Sequence, residues 1–414
     1  MSAPCPERLY YAHPYQTRFE AQVVERLEWA DRPAVVLDHT AFYPASGGQP
    51  SDRGDLSGVP VVGVEVRQTD GTVVHLLESE LPHAHVVGQV DWARRFDHMQ
   101  QHTGQHLLSA ACEQALAAET VSFHMSTEVS TIDLNLARIP PQALESVEES
   151  VNRIIWENRV VTSRFVDPEA RPGLPLRRPP QAEGPLRLVE VEGFDLTPCG
   201  GTHVARTGEI GLLKLLRLDY RGEETRVEFV CGGRALRDYR FKSRIVLRLA
   251  ASLTVGVEEV EGALGRLQQE LKTTRRELRL AREWGLEAEA ERLAQTAHYC
   301  GPLRVVRAVQ EGWASADLRG LAQRLTARPN TVALLAALGE RTHLCVACSA
   351  EVTVDAAGLL QPICSALNGK GGGQPHLAQG SAPPADRGQV EAALQAVMSD
   401  LEPQARCACL AGGG

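Results

Sequence analysis

Two short segments, HTGQH (His102 to His106) and CGGTH (Cys199 to His203), constrain this chain more than any other feature. The first lies in DHMQQHTGQHLLSAACEQALAAE, a run of good helix formers with no glycine or proline beyond Gly104, which predicts a helix. Residues four apart on a helix share a face, about 6 Å apart along the axis, so His102 and His106 can grip one ion. Cys199 and His203 have the same spacing, but Gly200 and Gly201 between them imply a tight loop that turns both side chains inward. Two imidazoles from a helix, with a thiolate and an imidazole from a distant loop, suit one zinc ion. Each half alone is a weak signal. Together they require the intervening chain to fold back and close a single site.

Three rivals were weighed. His98 falls on the same helix face, but eight residues of helix rise about 12 Å, too far for one ion to hold His98 and His106 together. His98 is therefore expected behind the ligands or facing nucleic acid, or simply exposed on the helix. A zinc peptidase needs Glu directly after the first His, and Thr103 stands there. Cys345 and Cys348 form a CxxC pair inside an apolar, strand-like run without a second pair, so they are expected in the core.

Around these segments the chain of 414 residues reads as α+β, with room for several domains. Residues 1–90 carry short alternating runs (FEAQVVERLEWA, AVVLDHTAFY, VPVVGVEVRQ, TVVHLLE) split by turn signals such as SGGQP and TDGT. That spacing predicts an N-terminal β-barrel or sandwich domain. Residues 91–246 hold both metal segments. They add a strand-like run (EVSTIDLNLA), an amphipathic helix (ALESVEESVNRIIWENR), a Pro- and Arg-rich loop over 165–187, and strand candidates GLLKLLRLDY and TRVEFVCG. This stretch is expected to be an α/β zinc-binding domain. Residues 247–298 predict a helical linker. Val260, Leu264, Leu267, Leu271 and Leu278, with Thr274 in the missing position, follow either a short coiled coil or an amphipathic packing helix. The coiled coil raises a homodimer, through this linker or the C-terminal domain. Residues 299–414 alternate strand-like runs (LRVVRAV, TVALLAAL, HLCVACS) with helical ones, predicting a small α/β domain. The glycine-rich NGKGGGQPHLAQGS is expected as a connection between its last strand and last helix, and CACLAGGG as a frayed end.

Composition narrows the function classes. Hydrophobic residues make up 43% and charged residues 23%, an ordinary globular balance. A net charge of −9 argues against a generally sticky nucleic-acid binder, so any RNA contact must use local basic groups. No run has signal-peptide character or the length to span a bilayer. A cytoplasmic location is expected, and ten cysteines in such a chain do not make a disulfide scaffold.

FYPASGGQPSDRG (Phe42 to Gly54), HTGQHLLSA, CGGTHVARTGEIG and KGGGQPHLAQG occur in this order. Together they resemble the long, free-standing alanyl-tRNA editing proteins, the AlaX family, over nearly the whole chain. The resemblance implies an editing domain of the alanyl-tRNA synthetase type. It also implies a trans-acting deacylase of mischarged Ser-tRNA(Ala), often also of Gly-tRNA(Ala), an ester hydrolase whose partner is tRNA. His102, His106, Cys199 and His203 match the family's zinc ligands, and Gln49 of SGGQ matches a residue of the editing pocket. The synthetase-embedded form commonly has Thr at the position of Gln105. That departure leaves open which residue reads the serine hydroxyl, with Thr103 a candidate or else a helix-packing threonine. The C-terminal segment is similar to the DHH-associated domain, in which Lys370, Gly371, Gly372 and Gly373 fit close approach to RNA or phosphate, or a tight turn. FDHMQQH lacks the second adjacent His of the phosphoesterase motif, and no segment offers an ATP-using aminoacylation core. Four protein ligands describe a closed zinc site, so the metal is expected to position ester and water. The competing readings are a non-catalytic tRNA-binding module with structural zinc and a zinc hydrolase with another substrate.

Overall fold

The computed structural model describes residues 7–179 and 184–411, with side chains up to residue 401. The chain divides into two compact units, Met1–Ser252 and Leu253–Gly414.

In the first unit the alternating runs close into a six-stranded barrel rather than a sandwich. Its strands follow the order Arg18–Trp29, Arg32–Leu37, Val73–Leu77, Val59–Val66, Gly54–Leu56 and His85–Val90, antiparallel throughout. Alternation along Arg18–Trp29 points Phe19 and Ala21 inward, where they meet Leu37, Phe42, Leu56, Val64 and Leu77. Closure leaves no free edge to manage. The two strands that complete it, Gly54–Leu56 and His85–Val90, are too short and too broken by glycine to stand out as periodic sequence.

The chain leaves the barrel at Asp91, whose side chain caps the helix Trp92–Leu116 by accepting from the Arg94 amide at 3.1 Å. The helix ends where Ala117 turns left-handed (φ 51). Residues 101–112 are buried on every side, as expected for a helix wedged between layers rather than laid on a surface. Arg95 fixes it to the barrel. This fully buried guanidinium pairs with the equally buried Asp52 and donates to Ala41 O and Pro14 O. Behind the helix stand two antiparallel sheets. One runs Leu213–Arg221, Glu224–Cys231, Ser130–Leu134, Thr120–Met125; the other runs Val161–Val166, Leu186–Val191, Asp195–Pro198. The helix Pro141–Trp156 closes the layer with Val147, Val151, Ile154 and Ile155 against Leu107, Leu108 and Phe229. The loop expected over 165–187 is shorter, because strands reach in to Val166 and out from Leu186.

Helix returns earlier than the leucine-rich pattern suggested, as Gly232–Leu253, before Val260–Gln295 begins the heptad stretch. Along that second helix Leu264, Leu267, Leu271 and Leu278 stay about half exposed, while Ala290, Leu293 and Ala294 are buried in the second unit.

The second unit is a six-stranded mixed sheet, ordered His298–Cys300, Leu303–Glu311, Thr331–Leu338, Thr342–Cys348, Leu377–Ala382, Lys370–Gln374. One parallel pair, Leu303–Glu311 with Thr331–Leu338, is joined by the crossover helix Ser315–Thr326. That helix and the end of Val260–Gln295 cover one face; the helices Ala356–Ala366 and Arg387–Ala411 cover the other. Cys345 belongs to the first core and Cys348 to the second. Side chains three apart on a strand point to opposite faces, so these thiols cannot share an ion, and burial pushes them up to about 12 and about 11.

The glycine-rich segment is not a connection between the last strand and the last helix. Lys370–Gln374 and Leu377–Ala382 are themselves the final two strands, paired Gly371 with Gly380 and Gly373 with Ala378. Glycine in a strand marks close backbone approach, and a Cβ at Gly373 would meet Ala378 Cα at 2.5 Å. The terminal CACLAGGG falls on the end of Arg387–Ala411 and on residues outside those described.

Candidate metal centre

His102 and His106 project from one face of the long helix, Cys199 and His203 from the turn after Asp195–Pro198. Their donor atoms all lie within 4.8 Å of one another. The Cys199 sulphur sits 3.4 Å from His102 Nε2 and 3.3 Å from His203 Nε2.

Hydrogen bonds behind the cluster fix which nitrogen of His102 and of His203 is free. His102 Nδ1 lies 2.8 Å from Gln49 Oε1. That oxygen also accepts from the Thr202 amide at 3.2 Å, and the Gln49 amide nitrogen donates to Thr202 Oγ1 at 2.8 Å. A backbone N–H can only donate, so the oxygen assignment holds and His102 Nδ1 carries the proton. His203 Nδ1 lies 3.2 Å from Thr103 Oγ1, whose only proton goes to Met99 O at 2.9 Å. Again Nδ1 must donate. His106 Nδ1 lies 3.3 Å from Asp195 Oδ2, a carboxylate held in turn by Arg177 Nε at 2.7 Å. His102 and His203 thereby turn an Nε2 lone pair toward the sulphur, supported from behind as metal-ligating imidazoles are, while His106 faces the Asp195 carboxylate as an ion pair, its Nδ1 making no hydrogen bond among the described residues.

The CGGTH turn is shaped to the same end. A Cβ at Gly201 would stand 2.2 Å from His102 Cε1, so only glycine lets the turn wrap the ring. The Gly201 amide points at the Cys199 sulphur at 3.3 Å, and Arg187 Nη1 holds the carbonyls of Cys199 and Gly201 at 2.9 Å each. Burial opposes ionisation of the Cys199 thiol, yet His102, His203 and His106 around it hold its pKa well below the usual thiol value. Burial likewise opposes a charged His106, but Cys199 and Asp195 push it up to about 9. His203, dominated by burial, falls to about 3. The donors, spacing and tautomers fit a metal ion bound by one thiolate and three imidazole nitrogens.

The cluster opens on a cavity of about 220 Å³ lined by Tyr43, Ser46, Gly47, Gln105, Thr120, Ser122, Phe123, Arg177, Arg178 and Gly200 among others. Ser46 and Gln49 bracket a two-residue turn, with Gly47 at φ 57 and Gly48 at φ 82, which brings Gly47 to the cavity wall. Gln105 donates to Ser109 Oγ at 2.8 Å, and Thr120 donates to the same oxygen at 2.6 Å. A larger cavity of about 700 Å³ beside Arg26 and Pro82 holds none of the four cluster residues.

Of the expected site residues, Gln105 faces the cavity, whereas Gln49 and Thr103 are buried behind His102 and His203. Thr103, with its hydroxyl committed to Met99, His203 and the Val204 amide, does not line the cavity. His98 is neither exposed nor facing outward. It is 2% exposed and, through burial and the neighbouring Arg94, Arg234 and Arg95, held down to about 3. Lys370 to Gly373 form an extended edge strand in the other unit, not a turn that gathers amides. Asp195, Arg187 and Thr202 went unnoticed in the sequence, since an isolated Asp or Arg in a strand carries no spacing signal.

Residues 186–227 match the family described as threonyl and alanyl tRNA synthetase second additional domain, and residues 303–402 match the DHHA1 domain. The alanyl-tRNA editing protein AlaX-L of Pyrococcus horikoshii is 31% identical, covering 96% of this chain and 99% of its own. The alanine–tRNA ligase of Pyrococcus abyssi is 30% identical over 91% of this chain, which spans 42% of that enzyme's length. The alanyl-tRNA editing protein Aarsd1 of Danio rerio is 33% identical over 58% of each chain. Because the first of these matches runs from end to end of both proteins, through barrel, metal cluster and C-terminal sheet alike, the chain belongs to the AlaX family of alanyl-tRNA editing proteins.

Proposed function

We propose that the protein is a trans-acting deacylase that hydrolyses mischarged Ser-tRNA(Ala), and also Gly-tRNA(Ala), with a zinc site that positions the aminoacyl ester and a water. The observation that carries this reading is the convergence of His102, His106, Cys199 and His203 at the wall of a small polar cavity. The end-to-end relative is named an alanyl-tRNA editing protein, and the site reading is consistent with that name.

One zinc ion would be held by the Cys199 thiolate and the three Nε2 atoms. When bound, it supplies positive charge that polarises an ester carbonyl or a water. The chain's own residues do the rest. The ester is already activated, so placement supplies much of the rate. The turn at Gly47 offers a backbone donor to the ester oxygen, in the manner of an oxyanion hole. Selectivity falls to Gln105. Ser109 takes the Gln105 amide N–H and so orients the side chain, leaving its Oε1 for the hydroxyl of a serine ester. Alanine offers that oxygen no donor, and a site built around a hydroxyl rejects the analogue lacking it. Glycine lacks that hydroxyl as well, so its release does not draw on Gln105.

The closed, four-donor set also favours a second reading, a non-catalytic tRNA-binding module with structural zinc. The deciding experiment incubates the protein with Ser-, Gly- and Ala-tRNA(Ala). Release of serine and glycine with Ala-tRNA(Ala) spared supports the deacylase; tRNA binding with all three esters intact supports the module.

A further inference from the structure

The metal-site cavity, at about 220 Å³, is smaller than the roughly 300–1,000 Å³ of pockets that enclose a drug-sized ligand. It takes an aminoacyl group and leaves the attached nucleoside outside, so the surface beside the cavity has to meet the end of the RNA. There the structure exposes an aromatic side chain with no part in the core. Phe165, on the edge strand Val161–Val166, is 58% exposed. Its cross-strand partner is Arg187, and directly paired residues share one face of a sheet. That face is the one bordering the metal site, because Arg187 reaches from it to the carbonyls of Cys199 and Gly201.

Phe165 is also held in place. Tyr11 meets it edge-on, ring centroids 5.7 Å apart at 76°. Tyr11 in turn lies 5.1 Å from the Arg187 guanidinium and 5.8 Å from that of Arg8. Its hydroxyl stands 3.8 Å from where a Cβ of Gly200 would be, and Gly200 lines the cavity. A ring held by a T-shaped neighbour yet more than half exposed, with two guanidinium groups against that neighbour in a chain of net charge −9, is an arrangement that can take an unpaired base.

We infer that Phe165 is a stacking platform for an unpaired nucleobase in the 3′ single strand of the tRNA, with Tyr11 setting its orientation. The inference rests on the tRNA-deacylase reading, and its test does not depend on hydrolysis. Uncharged tRNA(Ala) and versions lacking one base at each of the three 3′-terminal positions are titrated against the full-length protein by fluorescence anisotropy. Phe165→Ala, Phe165→Leu and Phe165→Tyr are compared with the wild type, and their melting temperatures confirm intact folding. Loss of a stacked base costs about ten-fold or more in affinity. The expected result is that loss for Phe165→Ala and Phe165→Leu, near-wild-type binding for Phe165→Tyr, and one abasic position that weakens the wild type but adds nothing in Phe165→Ala. Unchanged binding in Phe165→Ala, rescue by leucine as full as by tyrosine, or abasic losses that simply add would overturn it. If the wild type binds this tRNA with that pattern yet releases no amino acid, the platform stands and the deacylase reading falls.

Discussion

The ring nitrogen Nδ1 of His102 donates to the side-chain oxygen of Gln49 at 2.8 Å, joining a barrel-domain turn to a metal-facing helix fifty-three residues along the chain. Gln49 thus bears on the site through His102, by fixing its tautomer and angle.

Truncation at that point should loosen the metal before it disturbs the fold. Removing a partner behind a metal-ligating histidine typically costs about 10–100-fold in metal affinity. Gln49→Ala should show such a loss in zinc competition against a chelator, while Gln49→Glu, which keeps the acceptor oxygen, should retain most of the affinity. Equal zinc affinity in Gln49→Ala and wild type would remove Gln49 from the site.

In the proposed function Gln105 carries the selectivity. Gln105→Met keeps the length of the side chain and deletes the oxygen offered to serine. An unpaired hydroxyl in a desolvated site costs about 1–3 kcal/mol, so kcat/KM for Ser-tRNA(Ala) should fall about ten-fold or more while Gly-tRNA(Ala) hydrolysis stays within a few-fold. A parallel fall for both esters would show that Gln105 acts on the ester or the metal instead.

Far from the site, His75 predicts an acid-sensitive barrel. It is fully buried and bonded to Thr40 Oγ1 at 2.8 Å and Val35 O at 3.2 Å, and burial holds it down to about 4. Between the unfolded value of about 6.5 and about 4 the unfolded chain binds the extra proton, so stability falls as pH drops through that window. The full effect is about 3.5 kcal/mol, at about 1.4 kcal/mol per pH unit of separation. Urea unfolding at pH 7 and pH 4.5 should show a smaller loss in His75→Gln than in wild type; an equal loss in both would mean that His75 is not responsible.

Much of this site was legible because metal ligation repeats residue types at fixed spacing. HTGQH and CGGTH announced four donors, and helical periodicity placed two of them on one face. The supporting residues were not legible. Asp195 and Arg187 act through contacts set by the fold, and nothing local distinguishes them from any Asp or Arg in a strand; Thr202 stands inside CGGTH, but its bond to Gln49 exists only once the turn meets the barrel. His98 shows the converse. Its helix position left it behind the ligands, facing nucleic acid or exposed, and its burial removes the last two. In the second unit, glycines at 371–373 read as a connection because their pairing partners, Ala378 to Gly380, supply the strand order that the segment lacks by itself.

In the proposed reaction Cys199 and its three histidines hold zinc for ester hydrolysis. The most direct measurement determines zinc per chain and Ser-tRNA(Ala) deacylation together, for wild type and Cys199→Ala. The account predicts one zinc per chain in the wild type, and in the variant a loss of metal with a fall in deacylation of about 100-fold or more, since losing a ligand exceeds losing a group behind one. A wild type without zinc, or a metal-free Cys199→Ala that hydrolyses Ser-tRNA(Ala) at the wild-type rate, would contradict it.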